Sequence, residues 1–224
     1  MTLNALVTDD RYGEYPTVID NIELSVDEMM FYQDMPIKLA GQPYNPRNKD
    51  ERLAVFDILI STAILDFEGE PDYIYICAKR LFCTPDNVGN RAGYHCDGFL
   101  SDDTNYVWSD IHPTVFCVQP YVNVYQDHIK SLPVFDEQSK PENELTMVIP
   151  FDLVRLTPFV VHRTPTLPEA GFRTFVKITF SKHRFNLIGN SHNQHLSYDW
   201  EMHPREKVRN HPVFNEVNFL VGSA

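Results

Sequence analysis

From Tyr73 onward the chain is written in short runs of aromatic and β-branched residues, parted by Gly, Pro, Asn and Asp, and this punctuation limits it to a mainly β fold. Tyr73-Ile74-Tyr75-Ile76-Cys77-Ala78 is the first such run. Residues 106–108, 114–118, 121–125, 145–149, 153–156, 159–162 and 173–181 follow it. About eight short strands at this spacing predict a sandwich or jelly roll. Residues 133–144 carry prolines and charges and read as an exposed loop.

Ahead of the strands, the clearest helix covers residues 50–67. Leu53, Phe56, Leu59, Ile60, Ala63 and Ile64 recur at spacings of three and four, and Gly69 with Pro71 ends the pattern. Such a helix would buttress one sheet. A second, shorter helix is expected from Ser25, because Ser25-Val26-Asp27-Glu28 has the form of a capping box, with Met29, Met30 and Phe31 as its packing face. The chain then divides into a helical buttress over about 25–67, a β core over about 73–182 and a polar extension over about 183–224, all in one domain (1–224). The extension holds His183, His192, His195, His203 and His211, read as histidines decorating polar loops, and is a candidate lid.

Composition removes several classes. A formal net charge of −12 disfavours duplex nucleic acid, whose non-specific affinity comes from Lys and Arg neutralising phosphates, while leaving room for a nucleotide or small molecule. Four cysteines (Cys77, Cys83, Cys96, Cys117) are too few for a disulfide scaffold and include no C-x-x-C pair. The first residues lack a basic and an apolar region of the signal-peptide kind. No apolar run approaches the ~18 residues of a membrane span, so a cytoplasmic protein is expected.

Chemistry is concentrated in Gly93-Tyr94-His95-Cys96-Asp97-Gly98, answered far downstream by Val161-His162-Arg163-Thr164-Pro165 and by Arg173. On an extended strand, residues two apart share a face, so His95 and Asp97 would point together. A second histidine from a distant strand would complete a 2-His-1-carboxylate set, which leaves positions open and suits non-haem Fe(II). Arg173, at the head of the run Arg-Thr-Phe-Val-Lys-Ile-Thr-Phe-Ser, would offer a fixed cationic fork for a carboxylate.

His95, Asp97, His162 and Arg173 together resemble the H-x-D…H…R pattern of the Fe(II)/2-oxoglutarate-dependent oxygenases, over roughly residues 73–182. The resemblance implies a double-stranded β-helix, the jelly-roll or cupin-like fold, with a few flanking helices. It implies Fe(II) held by His95, Asp97 and His162, and 2-oxoglutarate paired through its distal carboxylate with Arg173. It further implies oxidation of a primary substrate with release of succinate and CO2. The sequence departs from the pattern in one place: many members carry Arg-x-Ser, and here the third residue is Phe175. Thr164 and Thr179 are the candidates to replace that serine.

Around this set, Lys177 shares the strand face of Arg173 and would assist the carboxylate or bind an anionic substrate. Arg163 points away from the metal and is expected in a salt bridge, while Cys96 packs as a small hydrophobe on the far side of its strand. Tyr94, Phe99 and Trp108 are candidate pocket walls. Two other readings stand beside the oxygenase: a cupin-like metalloenzyme that does not use 2-oxoglutarate, and a non-catalytic β-sandwich module with structural histidines.

Overall fold

The computed structural model describes residues 5–7 and 9–205, so His211 and the remainder of the expected extension lie outside the described residues. Its centre is a six-stranded antiparallel sheet built from β1 (Thr17–Asn21), β2 (Met30–Lys38), β3 (Tyr73–Cys83), β4 (Thr104–Ser109), β6 (Asp152–Leu156) and β8 (Gly171–Ser181), in the order β1-β6-β4-β8-β3-β2. A short second ladder joins β5 (Val115–Phe116) to β7 (His162–Arg163). Single bridges extend it, His95 against His162 on one side and Cys117 against Glu144 on the other. The protein is therefore mainly β, with two α-helices among the described residues, α1 (Asp57–Asp66) and α2 (His128–Gln138).

The two faces of the large sheet differ, as period-two alternation requires. One face carries Ile74, Ile76, Ala78, Tyr106, Trp108, Val176, Ile178 and Phe180, packed with Leu53, Phe56, Leu59, Ile60 and Ala63 into the principal core. The helical stretch between β2 and β3 packs on this face of the sheet as a buttress, as its periodicity predicts. Its first turns, Glu51–Phe56, are 3₁₀, and the Asp50 side chain accepts a hydrogen bond from the Arg52 amide to start them. Trp108 belongs to this core, where its indole N–H donates to Ile22 O at 2.9 Å. It is not a pocket wall. The opposite face presents Arg173, Phe175, Lys177 and Thr179 on β8, beside Leu81, Lys79, Cys77 and Tyr75 on β3.

Several expectations are corrected. No helix begins at Ser25: the Met-rich segment enters β2, where Met30, Tyr32, Met35 and Ile37 are buried and β3 supplies the hydrogen-bond partners. Tertiary pairing outweighs one capping box there. Residues 133–144 are not simply a loop, since α2 runs from His128 to Gln138 with Pro133 inside it. Asp127 accepts from the Lys130 amide as its N-cap, and Leu132 and Phe135 are buried. Pro133 is the sixth residue of α2, so it leaves Ile129 O without its i+4 amide, and the burial of Leu132 and Phe135 on either side of it supports the helix there. Residues 121–125 form no strand beyond the bridge between Leu6 and Tyr125. No helix of the described residues is long and apolar enough to cross a membrane.

Candidate metal centre

The site lies where the short ladder meets the polar face of the large sheet. His95 and His162 face each other as a hydrogen-bonded antiparallel pair, with each amide donating to the other's carbonyl at 2.9 Å. This pairing places the two side chains on one side of the ladder, with ring centroids 4.5 Å apart. The contact is a single bridge rather than a long strand, because the chain turns at once after His95. Gly98 has φ +72° and Leu100 has φ +57°. Asp97 opens that turn, and its Oδ2 comes within 3.7 Å of His162 Nε2. One ligand atom from each of His95, Asp97 and His162 lies within 4.8 Å of the others.

Both rings are oriented alike. His95 Nδ1 is 3.0 Å from Gly93 O, and His162 Nδ1 is 3.0 Å from Val160 O. A carbonyl cannot donate, so each Nδ1 carries the proton and each Nε2 keeps its lone pair for another partner. Metal-binding histidines are fixed this way, with the non-ligating N–H given to a carbonyl or carboxylate. Burial and the neighbouring His162 hold the His95 imidazole well below its ordinary pKa, which keeps it neutral. Burial pushes the Asp97 carboxylate up, but the Lys177 ammonium foremost more than offsets this and holds it well below the usual range. Neutral imidazoles and an ionised carboxylate are the forms that bind a metal.

Lys177 reaches from β8 across to this group, with Nζ 3.2 Å from Asp97 Oδ2. Burial opposes its charge, but Asp97, Cys77 and Asp34 raise its pKa nonetheless. The sequence put Lys177 on the correct face and gave no sign that its partner would be Asp97. Arg173 occupies the same strand face four residues earlier and is 3% exposed. Its Nε donates to Ile111 O and His112 O at 3.3 and 3.1 Å, whereas Nη2 is buried with no hydrogen-bond partner. Burial lowers its pKa to about 10, so it remains charged at neutral pH. An orphaned cationic donor of this kind is costly unless an anion meets it.

Beside Arg173 lies a partly open crevice of about 10 Å³, room for about one water, lined by Lys79, Leu81, Cys83, Val88, Gly89, Asn90, Arg173 and Phe175. The three metal-ligand candidates do not line it. Phe175, paired with Lys79 across the strands, stands between the Arg173 and Lys177 rows.

The remaining residues sort cleanly. Arg163 makes the expected ion pair, with Nη2 2.8 Å from Glu144 Oε1, and its Nε also donates to Tyr94 Oη at 3.1 Å. Tyr94 is bonded into that pair rather than lining a pocket. Cys96 is buried against Tyr12, Cys117, Val124 and Val161, as anticipated. Phe99 packs its ring on Tyr12 and Phe135. Neither threonine offers a free hydroxyl proton: Thr164 donates to Arg91 O and Thr179 to Asn105 Oδ1. The residues the sequence reading missed here are Lys79 and Asn90, joined at 3.1 Å, whose only sequence signal is that Lys79 alternates in phase with Cys77 on a strand.

No protein-family model matches this sequence, and no curated protein matches it.

Proposed function

We propose that the protein is an Fe(II)- and 2-oxoglutarate-dependent oxygenase on a double-stranded β-helix, acting on a small-molecule or nucleotide-like substrate. The observation that carries this reading is the pair of histidines with both Nδ1 atoms committed to carbonyls, with His162 Nε2 3.7 Å from Asp97 Oδ2 and one ligand atom of each of the three residues within 4.8 Å of the others. Two imidazoles and one carboxylate fit Fe(II) by donor type and count, and they leave room for a chelating co-substrate and oxygen. The orphaned Nη2 of Arg173 fits the distal carboxylate of a 2-oxo dicarboxylate. When bound, Fe(II) with 2-oxoglutarate and O2 supplies the oxidising chemistry, in which one oxygen atom goes to succinate and the other to the substrate as CO2 leaves.

The chain's own residues provide the rest. His95, Asp97 and His162 present a rigid three-atom face. Gly93 O and Val160 O hold the two rings in the tautomer that binds metal. Lys177 keeps Asp97 ionised, while the carbonyls of Ile111 and His112 hold the guanidinium of Arg173 in place.

Anaerobic titration with Fe(II) and then 2-oxoglutarate tests the reading. A visible metal-to-ligand charge-transfer band that forms with wild type and not with His162→Ala is the expected result. No band, together with no bound metal, would overturn it and leave a non-catalytic sandwich module.

One observation favours a second reading, a cupin-like metalloenzyme that does not use 2-oxoglutarate. Phe175 replaces the serine of the family pattern and stands between Arg173 and Lys177 on the strand face. Metal binding without measurable 2-oxoglutarate affinity would select it.

A further inference from the structure

We infer that Asp102, Asp103 and His183 form a second divalent-cation site, distinct from the His95 triad, which fastens the loop after Asp97 to the chain leaving β8. The sheet register brings these residues together. Thr104 pairs with Phe180, so the residues just before β4 and just after β8 emerge at the same sheet end. One ligand atom of each residue lies within 4.8 Å of the other two, and Asp102 Oδ1 is 3.7 Å from His183 Nε2.

Acidic clusters at a surface are common, and the decisive observation is Asp103. It is 5% exposed, and its Oδ1 is buried with no hydrogen-bond partner. A carboxylate so placed is unfavourable unless a cation meets it. Lys182 does not serve, because its Nζ sits on Asp102 Oδ2 at 2.9 Å, leaving Oδ1 toward the imidazole. The backbone around the group is already fixed. Ser101 Oγ accepts from the Asp103 amide at 3.1 Å, and Ser181 Oγ accepts from the His183 amide at 2.9 Å. His183 O in turn accepts from Tyr75 Oη at 2.9 Å.

One imidazole and two carboxylates suit Zn(II) or Mn(II), whereas Mg(II) and Ca(II) prefer oxygen alone. The side chains of Asp102 and His183 are half or more exposed, so water completes the coordination and the ion exchanges readily.

Equilibrium dialysis of the full chain against Zn(II), with bound metal counted, separates the two sites. Wild type should hold two ions, Asp97→Asn one, His183→Gln one, and the double variant none. His183 is exposed, so the glutamine variant folds, and Asp102→Asn gives an independent check with the same loss. Zn(II) should also raise the melting temperature of Asp97→Asn and leave that of the double variant unchanged. If the triad reading failed alone, wild type would bind a single ion that disappears in His183→Gln. An Asp97→Asn protein that binds no Zn(II), or binds it equally with and without His183→Gln, would overturn the second site.

Discussion

The Lys177 ammonium lies 3.2 Å from the Asp97 carboxylate, so the acid of the candidate triad is already ion-paired from the opposite layer. The pair is less than one-quarter exposed at either side chain. A cation there keeps Asp97 in its metal-binding form and also repels the metal. Replacing the charge with an isosteric apolar group, Lys177→Met, removes a repulsion of roughly 1–2 kcal/mol at high effective dielectric. Mn(II) affinity at the site that Asp97→Asn abolishes should therefore rise roughly tenfold, measured by anaerobic titration. A fall in affinity would mean that Lys177 serves chiefly to position Asp97.

Arg173 should separate co-substrate binding from metal binding. A charge-assisted contact contributes roughly 1.5–3 kcal/mol, or one to two orders of magnitude in Kd. Arg173→Met is expected to weaken 2-oxoglutarate by that amount and to leave Fe(II) affinity within about twofold. Equal affinity for 2-oxoglutarate in both proteins would remove the guanidinium from the carboxylate site and favour Lys79, which lines the same crevice.

Trp108 tests the division between core and site. It is 1% exposed, packs on the helix-covered face and donates to Ile22 O. Trp108→Phe leaves a cavity and an unpaired carbonyl, and should cost roughly 2–4 kcal/mol of unfolding free energy. Metal affinity should not change, because the residue faces away from Lys177. A loss of metal binding in a fully folded variant would place it in the site after all.

What the sequence made legible follows from which interactions are local. The helix over 50–67 rests on spacings of three and four, and Leu53, Phe56, Leu59, Ile60 and Ala63 are all fully buried. The H-x-D pair and His162 are readable as a group, but the ladder brings together only the two histidines, and Asp97 joins them from the turn that follows rather than by strand alternation. Residues whose role depends on register were not readable. Lys177 finds Asp97, and His183 finds Asp102 and Asp103, only because β8 pairs with β4 at Thr104–Phe180. Grouping His183 with the tail histidines by sequence proximity hid that meeting. The failure at Ser25 has the same origin: a local cap signal lost to strand pairing between β2 and β3. α2 is hidden because Pro133 reads as a breaker, while the residues that start the helix, from the Asp127 cap to Leu132, lie outside the stretch that reads as loop.

The Asp34–Cys77 pair sets the expected pH dependence of stability. Asp34 sits in the β2 bulge with φ +43°, a left-handed conformation that turns its carboxylate inward. Cys77 Sγ donates to Asp34 Oδ1 at 2.9 Å and accepts from the Asp34 amide at 3.1 Å. Burial and the Asp34 charge push the Cys77 thiol up to about 12. A raised native pKa favours the protonated fold, so this contribution is complete below the unfolded thiol value of about 8.5 and is lost as pH rises toward 12. Asp34 has the opposite sign. Burial raises it, but Lys177, Cys77, Gln33 and Arg205 more than offset that and leave it lowered. Its contribution is present above the ordinary carboxylate value and is lost as pH falls through the depressed native one. Urea unfolding between about pH 8.5 and 9.5, before the tyrosines titrate, should show stability declining with pH. The slope should be shallower in Cys77→Ala by up to about 1.4 kcal/mol per pH unit, the linkage of one proton. Identical slopes in the two proteins would mean that the thiol is accessible or that its proton is not held by the fold.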